Sequence, residues 1–289
     1  MLLSAPELSV SPRIGNGNVA AVIEYDGSEF HGWQYQSSGL PTIAGALAPA
    51  IGRVANEPVE LVCAGRTDAG VHGAYQVVNF TTTSERSLRS WVLGVNSALP
   101  EAIRVHWMGN VADSFSARFT ARSRRYRYLI ASTPVRPALF RHNLSWTHRS
   151  LDAERMHEAG QLLLGEHDFS AFRAAGCQAN TPNRHVSALS VRRSGAFVVI
   201  EIAANAFLHH MVRNIAGSLM TVGAGDRPVQ WMGEILESRD RRLSGVTAPA
   251  QGLYLVDVEY PTQAGIPRPL PGPSLIHEWP GFAGFMDNE

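Results

Sequence analysis

Short connections between neighbouring strands constrain the fold of this 289-residue chain more than any other feature. Alternating apolar residues predict strands at 19–25, 59–64, 74–82, 103–109, 124–131, 186–192, 196–203 and 253–260. Helical spacing of apolar residues predicts helices at 43–54, 88–98, 152–164, 210–222 and 228–236. Parallel neighbours need a crossover of about a dozen residues or more, and several of these connections are shorter. The pattern therefore predicts an α+β fold with antiparallel sheets rather than a doubly wound parallel sheet.

The predicted elements fall into two groups, which indicate two domains at 18–140 and 141–260. A leader of residues 1–17 is expected to be flexible, and the tail 261–289 is rich in Pro and Gly, which disfavour regular structure. We expect the serines that precede two of the helices, Ser87 and Ser150, to cap their N-termini.

Composition excludes several classes of protein. All 25 basic residues are arginine, so chemistry that depends on lysine, such as pyridoxal Schiff bases and Walker-type NTPases, is excluded. The two cysteines, Cys63 and Cys177, are too few for a disulfide framework or a cysteine-rich metal site. The first residues lack the charged start and apolar run of a signal peptide, and no window of about 20 residues is apolar enough to span a membrane. We therefore expect a cytoplasmic protein.

Positive charge is concentrated in one stretch, although the formal net charge is zero. From Ser114 to Leu151 the sequence has eight arginines, no acidic residue and several interspersed aromatic residues. A charge run is often only a solvated face, but interspersed rings favour nucleic acid, where arginine contacts phosphate and rings stack on bases. We interpret the stretch as a nucleic-acid-binding surface that includes Arg118, Arg122, Arg124 and Arg125.

The segment GRTDAGVH at 65–72 follows one predicted strand and precedes another. Its glycines permit tight backbone geometry and close approach of a large ligand. Arg66 and Asp68 are two residues apart, so both side chains project to one side of an extended stretch. A cation this close is expected to keep the carboxylate ionised, as a nucleophile requires. The pair could instead brace the turn structurally, and chemistry alone favours that second interpretation.

The same string, with EYDG at 24–27 and GWQ at 32–34 upstream, resembles the tRNA pseudouridine synthase A family. Further matches follow in the same order: SFSARF at 114–119, RRYRY at 124–128, LLGEHDFSAFR at 163–173, FLHHMVRNIAGSL at 207–219 and QGLYLVDVEY at 251–260. These blocks extend over nearly the whole chain between its two tails. GRTDAGVH together with HHMVRN is far more specific than a single short motif.

The resemblance implies the pseudouridine synthase fold, with two α/β-sandwich-like domains whose antiparallel sheets join across a central cleft. It implies isomerisation of uridine to pseudouridine at positions 38, 39 and 40 of the tRNA anticodon stem-loop. It also implies a homodimer that binds tRNA and not DNA, and that uses neither cofactor nor metal. By motif position Asp68 is the expected nucleophile. The expected substrate-binding residues are Tyr126, Arg66, Arg213 and Leu253.

The expected reaction breaks the bond between base and ribose, turns the freed base and rejoins it through carbon. Asp68 attacks either the ribose anomeric carbon or the pyrimidine ring, and the sequence does not choose between them. Tyr126 is expected to stack on the uracil and to help remove its C5 proton. The base must first leave its stack, which costs on the order of a few kcal/mol.

Two other functions stay open at this point. The chain could be an RNA-binding relative without catalytic activity, acting as a tRNA folding chaperone, although the intact Arg66, Asp68 and Tyr126 argue against it. It could also be a nucleoside or glycoside hydrolase, which needs two carboxylates. No second acidic residue occurs within residues 62–80, which argues against the hydrolase.

Two polar clusters invite a metal or acid–base interpretation that we do not adopt. His209 and His210 are adjacent and predicted on a helix, where successive side chains point about 100° apart and cannot share a metal ion. Glu166, His167 and Asp168 are interpreted as a turn at the end of a helix.

Overall fold

The computed structural model describes residues 12–268 and 272–273, and these residues divide into two compact units. The first unit contains the chain up to Arg122 and again from Leu255 onward, and the second contains Ser123–Tyr254. The predicted domain boundary at 140 therefore lies inside the second unit. No helix among the described residues is both long and apolar enough to cross a membrane.

The first unit is built on an antiparallel sheet. Its long strand β1 (Arg13–Tyr25) lies between β3 (His72–Ser87) and β4 (Ile103–Asn110) and pairs antiparallel with both. The two-residue strand β2 (Val62–Cys63) also pairs antiparallel with β3. In the order of the sheet, β3 is followed by β10 (Leu253–Glu259), which belongs to this unit from Leu255 onward.

Two helices pack on this sheet. The helix α1 (Ile43–Ala55) begins after Thr42, whose hydroxyl accepts a hydrogen bond from the N–H of Gly45. The helix α2 (Leu88–Ala98) begins after Ser87, as predicted, and the Ser87 hydroxyl accepts from the N–H of Ser90. Apolar side chains from both helices and from the strands form one core, which includes Leu47, Ile51, Trp91, Val95, Ile23, Phe80 and Val105.

The second unit has its own antiparallel strands. Here β9 (Phe197–Ala204) lies between β5 (Ser123–Ser132) and β8 (Asn183–Ser194) and pairs antiparallel with both. The short strand β7 (Gly165–Asp168) continues the antiparallel order beyond β8. The three-residue strand β6 (Ser145–Thr147) pairs with β5 in the parallel direction, which the short-connection argument did not predict.

Three helices complete the second unit: α3 (Ala153–Gln161), α4 (Met211–Gly223) and α5 (Trp231–Ser238). Glycines permit close packing at two of their contacts. A Cβ on Gly160 of α3 would lie 2.2 Å from Cδ2 of Leu189 on β8, and one on Gly223 of α4 would lie 2.6 Å from Cγ of Met156 on α3. These positions therefore have no room for a side chain unless a neighbour moves.

The predicted N-cap of α3 is wrong. The helix begins after Asp152 rather than Ser150, and the Asp152 carboxylate accepts hydrogen bonds from the N–H groups of Glu154 and Arg155. A charged acceptor is favoured at a helix N-terminus because the helix dipole is positive there. Asp152, rather than Ser150, is therefore the N-cap residue of α3.

Two other local predictions also need correction. Residues 166–168 belong to strand β7 rather than to a turn. Strand β1 begins at Arg13, inside the predicted leader. The alternating pattern did not predict this start, because it is interrupted at Gly15 and Gly17, where the pairing with β3 is irregular. The earlier part of the leader, and the tail beyond 268 apart from 272–273, lie outside the described residues.

Glu57 ties the end of α1 to β3. Its carboxylate accepts hydrogen bonds from the Thr82 hydroxyl, from the Thr83 N–H at 2.7 Å and from the Thr83 hydroxyl at 2.8 Å. These bonds, that of Thr82 above all, lower the pKa of Glu57 from 4.5 to about 2.

We expect Glu57→Gln to lower the melting temperature at pH 7, because an amide oxygen accepts these bonds less strongly than a carboxylate. A depressed folded-state pKa contributes stability that is present above pH 4.5 and is lost as the pH falls toward 2. The difference in Tm between wild type and variant should therefore hold from neutral pH to about 5 and shrink below 4.5. Thermal unfolding followed by circular dichroism measures it, with the exposed Glu60→Gln as control. A difference that grew on acidification would contradict the assignment.

Candidate active site

The GRTDAGVH segment forms the turn between β2 and β3. Arg66 is exposed, Thr67 is buried at 7% exposure, and Asp68 is partly exposed. The Thr67 hydroxyl makes a buried hydrogen bond, 2.9 Å long, with the Tyr25 hydroxyl at the end of β1. Thr67, the residue between Arg66 and Asp68, therefore anchors the turn to the sheet, while Asp68 keeps part of its surface exposed.

Backbone groups near the two upstream motifs also hold this turn. The N–H of Trp33 donates to the Thr67 carbonyl at 3.0 Å, and the N–H of Gly70 donates to the Phe30 carbonyl at 3.2 Å. Within the turn, the N–H of Val71 donates to the Asp68 carbonyl at 3.1 Å. The strings EYDG, GWQ and GRTDAGVH, separate in sequence, thus meet in one place in the first unit.

Two glycines make this close approach possible. A Cβ on Gly27 would lie 2.0 Å from the Val71 carbonyl oxygen, and a Cβ on Gly32 would lie 2.8 Å from the Thr67 carbonyl oxygen. Gly32 also has a φ of +89°, in the left-handed region that favours glycine. A side chain at either position would push against the turn that carries Asp68.

A buried glutamine that sequence reasoning missed holds the start of the turn. The amide of Gln76, on β3, accepts from the N–H of Gly65 at 3.3 Å and donates to the Gly65 carbonyl at 2.6 Å. Gln76 has no exposed surface, so these bonds satisfy its amide inside the unit. The available sequence signal was an amide beside the apolar residues Val77 and Val78 of the same strand.

Arg66 is exposed and Asp68 is partly exposed. They form no ion pair with each other within 4.0 Å. Nor does Arg66 have an ion-pair partner elsewhere in the part of the chain that the structure describes. Its exposed guanidinium is thus placed to contact an anion such as a phosphate.

Tyr126 lies on β5 in the second unit and is 7% exposed. The ring of Phe207 packs against it edge to face, with centroids 5.0 Å apart and an angle of 84° between the ring planes. This arrangement is a favourable one for two aromatic rings. It fixes the plane of the Tyr126 ring.

Arg213 and Leu253 are placed by the segment that leads into β10. Arg213, in the first turn of α4, donates from Nε to the Ala248 carbonyl at 2.8 Å, and the Ala248 N–H donates to the Arg213 carbonyl at 3.1 Å. A short 3-10 helix, Ala250–Gly252, then ends at Leu253, which is buried. The structure thus places Asp68 and Arg66 in the first unit and Tyr126, Arg213 and Leu253 in the second.

A buried tyrosine on β5 holds the same segment. The Tyr128 hydroxyl donates to the carbonyl of Pro249 at 2.8 Å. Burial raises the pKa of Tyr128, so the phenol stays protonated and remains a donor.

The four arginines of the predicted nucleic-acid surface have different environments. Arg118 and Arg122 are exposed, and the Arg118 guanidinium lies 5.1 Å from the centroid of the exposed Phe119 ring. Arg124 is buried at 9% exposure and donates to the Asn205 carbonyl at 2.9 Å, so it is not part of an exposed surface. Arg118 and Arg122 precede β5, whereas Arg124 lies within the strand.

Arg125 is only partly exposed and pairs with Glu201. Its Nη1 lies 2.6 Å from Oε1 of this buried carboxylate, and Nε of the buried Arg127 lies 2.6 Å from Oε2. Two of the arginines in the acid-free run are thus paired with an acid from β9, far along the chain. The sequence around these arginines therefore gave no indication of their counterion, Glu201.

The geometric argument against His209 and His210 acting together is wrong. His210 precedes α4 with a φ of 60° rather than lying within the helix, and the two imidazole centroids are 4.1 Å apart. The left-handed backbone at His210 brings the rings side by side. Divergence of the two side chains therefore does not exclude a shared ligand.

A family model described as tRNA pseudouridine synthase matches residues 21–120 and 159–261. The matched residues include Asp68, Arg213 and Leu253, and Tyr126 lies between the two matched segments. Because the match covers more than half of the chain, this chain belongs to the tRNA pseudouridine synthase family, a family of isomerases. The family predicted from the motifs is confirmed, and so is the predicted fold class.

Curated relatives named tRNA pseudouridine synthase A match along nearly their whole length. The relative from Tolumonas auensis is 53% identical over 255 residues, which cover 88% of this chain and 97% of the relative. The relative from Pseudomonas aeruginosa is 49% identical over 279 residues, 96% of this chain and 98% of the relative. The match to a chain of a solved structure, a Cbf5-Nop10-Gar1 complex, covers 82% of this chain and 48% of the other. The identity is 13% and the TM-score is 0.35, which is too low to support an argument.

The close approach at Gly32 predicts a difference between two glycine substitutions. Gly39 has a φ of +74° and open space around it, whereas Gly32 combines a φ of +89° with the nearby Thr67 carbonyl. Gly39→Ala should lower the free energy of unfolding by about 1 kcal/mol, the cost of a left-handed alanine. Gly32→Ala should lower it by about 2–4 kcal/mol, because the turn must also move. Urea unfolding measures both, and equal losses would show that the Asp68 turn yields without cost.

Proposed function

We propose that this protein converts uridine to pseudouridine at positions 38, 39 and 40 of the tRNA anticodon stem-loop, with Asp68 as the nucleophile. The observation that carries the proposal is the Asp68 turn, which presents a partly exposed aspartate and whose backbone lies so close to the facing glycines that they have no room for side chains. The family match includes this turn, and the tRNA positions are those that the motif resemblance implies.

The reaction exchanges one glycosidic bond for another. The bond between N1 of uracil and C1′ of ribose breaks, and a bond between C5 and C1′ forms after the base has turned. The proton on C5 leaves and N1 gains one, so the product is an isomer of the substrate. In this proposal Asp68 bonds covalently to the ribose C1′ or to the pyrimidine ring, and it is released when the new bond forms.

The other site residues bind and orient the base. Tyr126 would stack on the uracil, a role that suits a ring whose plane is fixed by Phe207, and its hydroxyl would help remove the C5 proton. Arg66 would occupy the space left by the displaced base or pair with a backbone phosphate. Arg213 and Leu253 would contact the substrate from the second unit.

The proposed partner is tRNA rather than DNA, and the proposed working form is a homodimer in the cytoplasm. The exposed Arg118, Arg122 and Phe119 support RNA binding, because arginine contacts phosphate and an exposed ring stacks on unpaired bases. The homodimer follows from the resemblance, and the location follows from the sequence expectation stated above.

The first experiment maps pseudouridine in unmodified tRNA after incubation with wild type or with Asp68→Ala. We expect modification at positions 38–40 by the wild type. Removing the nucleophile should lower the rate to the limit of detection while tRNA binding is retained. The exposed Asp113→Ala, in the same unit, is the matched control and should react like the wild type.

Other outcomes identify the alternatives. An Asp68→Ala variant with full activity would remove Asp68 from the chemistry. Release of free uracil without pseudouridine would indicate a hydrolase. Tight tRNA binding by a well-folded wild type that modifies no uridine in several tRNAs would indicate an RNA-binding protein without catalytic activity.

The exposed arginines generate a prediction about salt. Arg118→Gln and Arg122→Gln should each weaken tRNA binding, because each removes a phosphate contact. The slope of log K against log salt should fall in magnitude by about 0.7–0.9 for each lost contact. Filter binding between low and moderate salt measures the slope, with the exposed Arg89→Gln of α2 as control. Slopes equal to that of the wild type would place the RNA elsewhere.

A further inference from the structure

Arg241, in a short 3-10 helix of the second unit (Arg241–Leu243), connects several backbone and side-chain groups. Its Nη1 donates to the Ser244 hydroxyl at 2.7 Å and to the Gly245 carbonyl at 3.1 Å. Its Nη2 donates to Oδ1 of Asn214 at 3.0 Å and to the hydroxyl of Thr247 at 2.9 Å. One guanidinium thus links the loop 244–247 to helix α4.

The α4 side of this network is fully buried. Asn214 has no exposed surface, and its Nδ2 donates to the carbonyl of Phe172 at 2.7 Å, while its Oδ1 also accepts from the Thr247 hydroxyl at 2.7 Å. One turn further on, the buried Ser218 hydroxyl accepts from the N–H of Gly245 at 2.9 Å. Buried polar groups satisfied in this way hold a single geometry.

Packing leaves the loop little freedom to move. A Cβ on Gly217 of α4 would lie 1.8 Å from the Val246 carbonyl oxygen, so the loop backbone rests directly on the helix. The next residues of this loop are Thr247 and Ala248, and the Ala248 carbonyl accepts from Nε of Arg213. Asn214 follows Arg213 in the chain and Thr247 precedes Ala248. Arg241 therefore contacts a residue adjacent to each partner of the Arg213–Ala248 hydrogen bond.

We propose that Arg241 is a positioning residue that fixes the Arg213 guanidinium through the loop 244–248. The bond from Arg213 Nε to Ala248 sets the plane of that guanidinium, and Arg241 holds in place the loop that supplies the acceptor. Arg241 itself need not touch the substrate. The inference rests on the proposed function, in which Arg213 contacts the substrate, and it names the residue that orients that contact.

The test compares Arg241→Gln with Arg242→Gln under single-turnover conditions, with the enzyme at saturating excess over tRNA. Arg242 belongs to the same short helix, but its side chain is 88% exposed and pairs with Asp240. Arg241→Gln should lower the rate of pseudouridine formation by about 10- to 100-fold, because a small displacement of a positioned group has effects of this size. Its tRNA affinity should stay within about twofold of the wild type. Arg242→Gln should match the wild type in both, and equal rates for Arg241→Gln and Arg242→Gln would overturn the proposal.

A double-mutant cycle separates positioning from general loss of structure. If Arg241 acts through Arg213, then Arg241→Gln should have little further effect on the rate in an Arg213→Gln background. If it acts by destabilising the whole unit, the two effects should multiply, and the proposal fails. Thr247→Val, which removes one hydroxyl of the network, is the milder variant should Arg241→Gln unfold, and its effect should also vanish in the Arg213→Gln background.

One readout does not depend on activity. The Nε–H proton of Arg213, assigned by the loss of its NMR signal in Arg213→Gln, should exchange slowly with water in the wild type and in Arg242→Gln. It should exchange faster in Arg241→Gln and Thr247→Val, because the acceptor carbonyl is no longer held. An unchanged exchange rate in both variants would overturn the positioning role. An inactive wild type with the expected exchange pattern would count against the proposed function alone.

Discussion

The turn that carries Asp68 depends on a close approach of two backbone segments with no side chain between them. The Thr67 carbonyl faces Gly32, and the Val71 carbonyl faces Gly27. The N–H of Trp33, the residue after Gly32, donates a hydrogen bond to the Thr67 carbonyl. Hydrogen bonds between backbone groups require this distance, and glycine is the residue that permits it. The close backbone packing therefore explains why the three motifs EYDG, GWQ and GRTDAGVH occur in the same chain. A catalytic role for Asp68 alone would not explain it.

The second unit holds its site residues by a different means. The loop 244–248 is fixed mainly by side-chain hydrogen bonds rather than by a backbone ladder, and three of these bonds come from the guanidinium of Arg241. A planar, permanently charged donor with several N–H groups suits this task, since it can satisfy several acceptors at once. Arginine is thus used inside this unit as a structural crosslink as well as on its surface.

Sequence pattern predicted the helices and most strands because apolar periodicity reports directly which face of an element is buried. It failed where a contact came from far along the chain or where two residues competed locally. Glycines in β1 hid the start of that strand, Asp152 displaced Ser150 as a cap, and Glu201 neutralised arginines that looked unopposed. The motif positions of the site residues came from resemblance, whereas Gln76 and Arg241 act through tertiary contacts that no short motif encodes.

Because the Asp68 turn is anchored largely through its backbone, its shape does not depend on which side chain stands at position 68. The contacts that hold it include hydrogen bonds made by main-chain atoms, by Thr67 and by Gln76. A change confined to the carboxylate of Asp68 leaves those contacts in place. A catalytically inactive variant at Asp68 should accordingly keep the structure that binds RNA. Such a variant can be used to capture from a cell extract the RNAs that the active protein would modify and release.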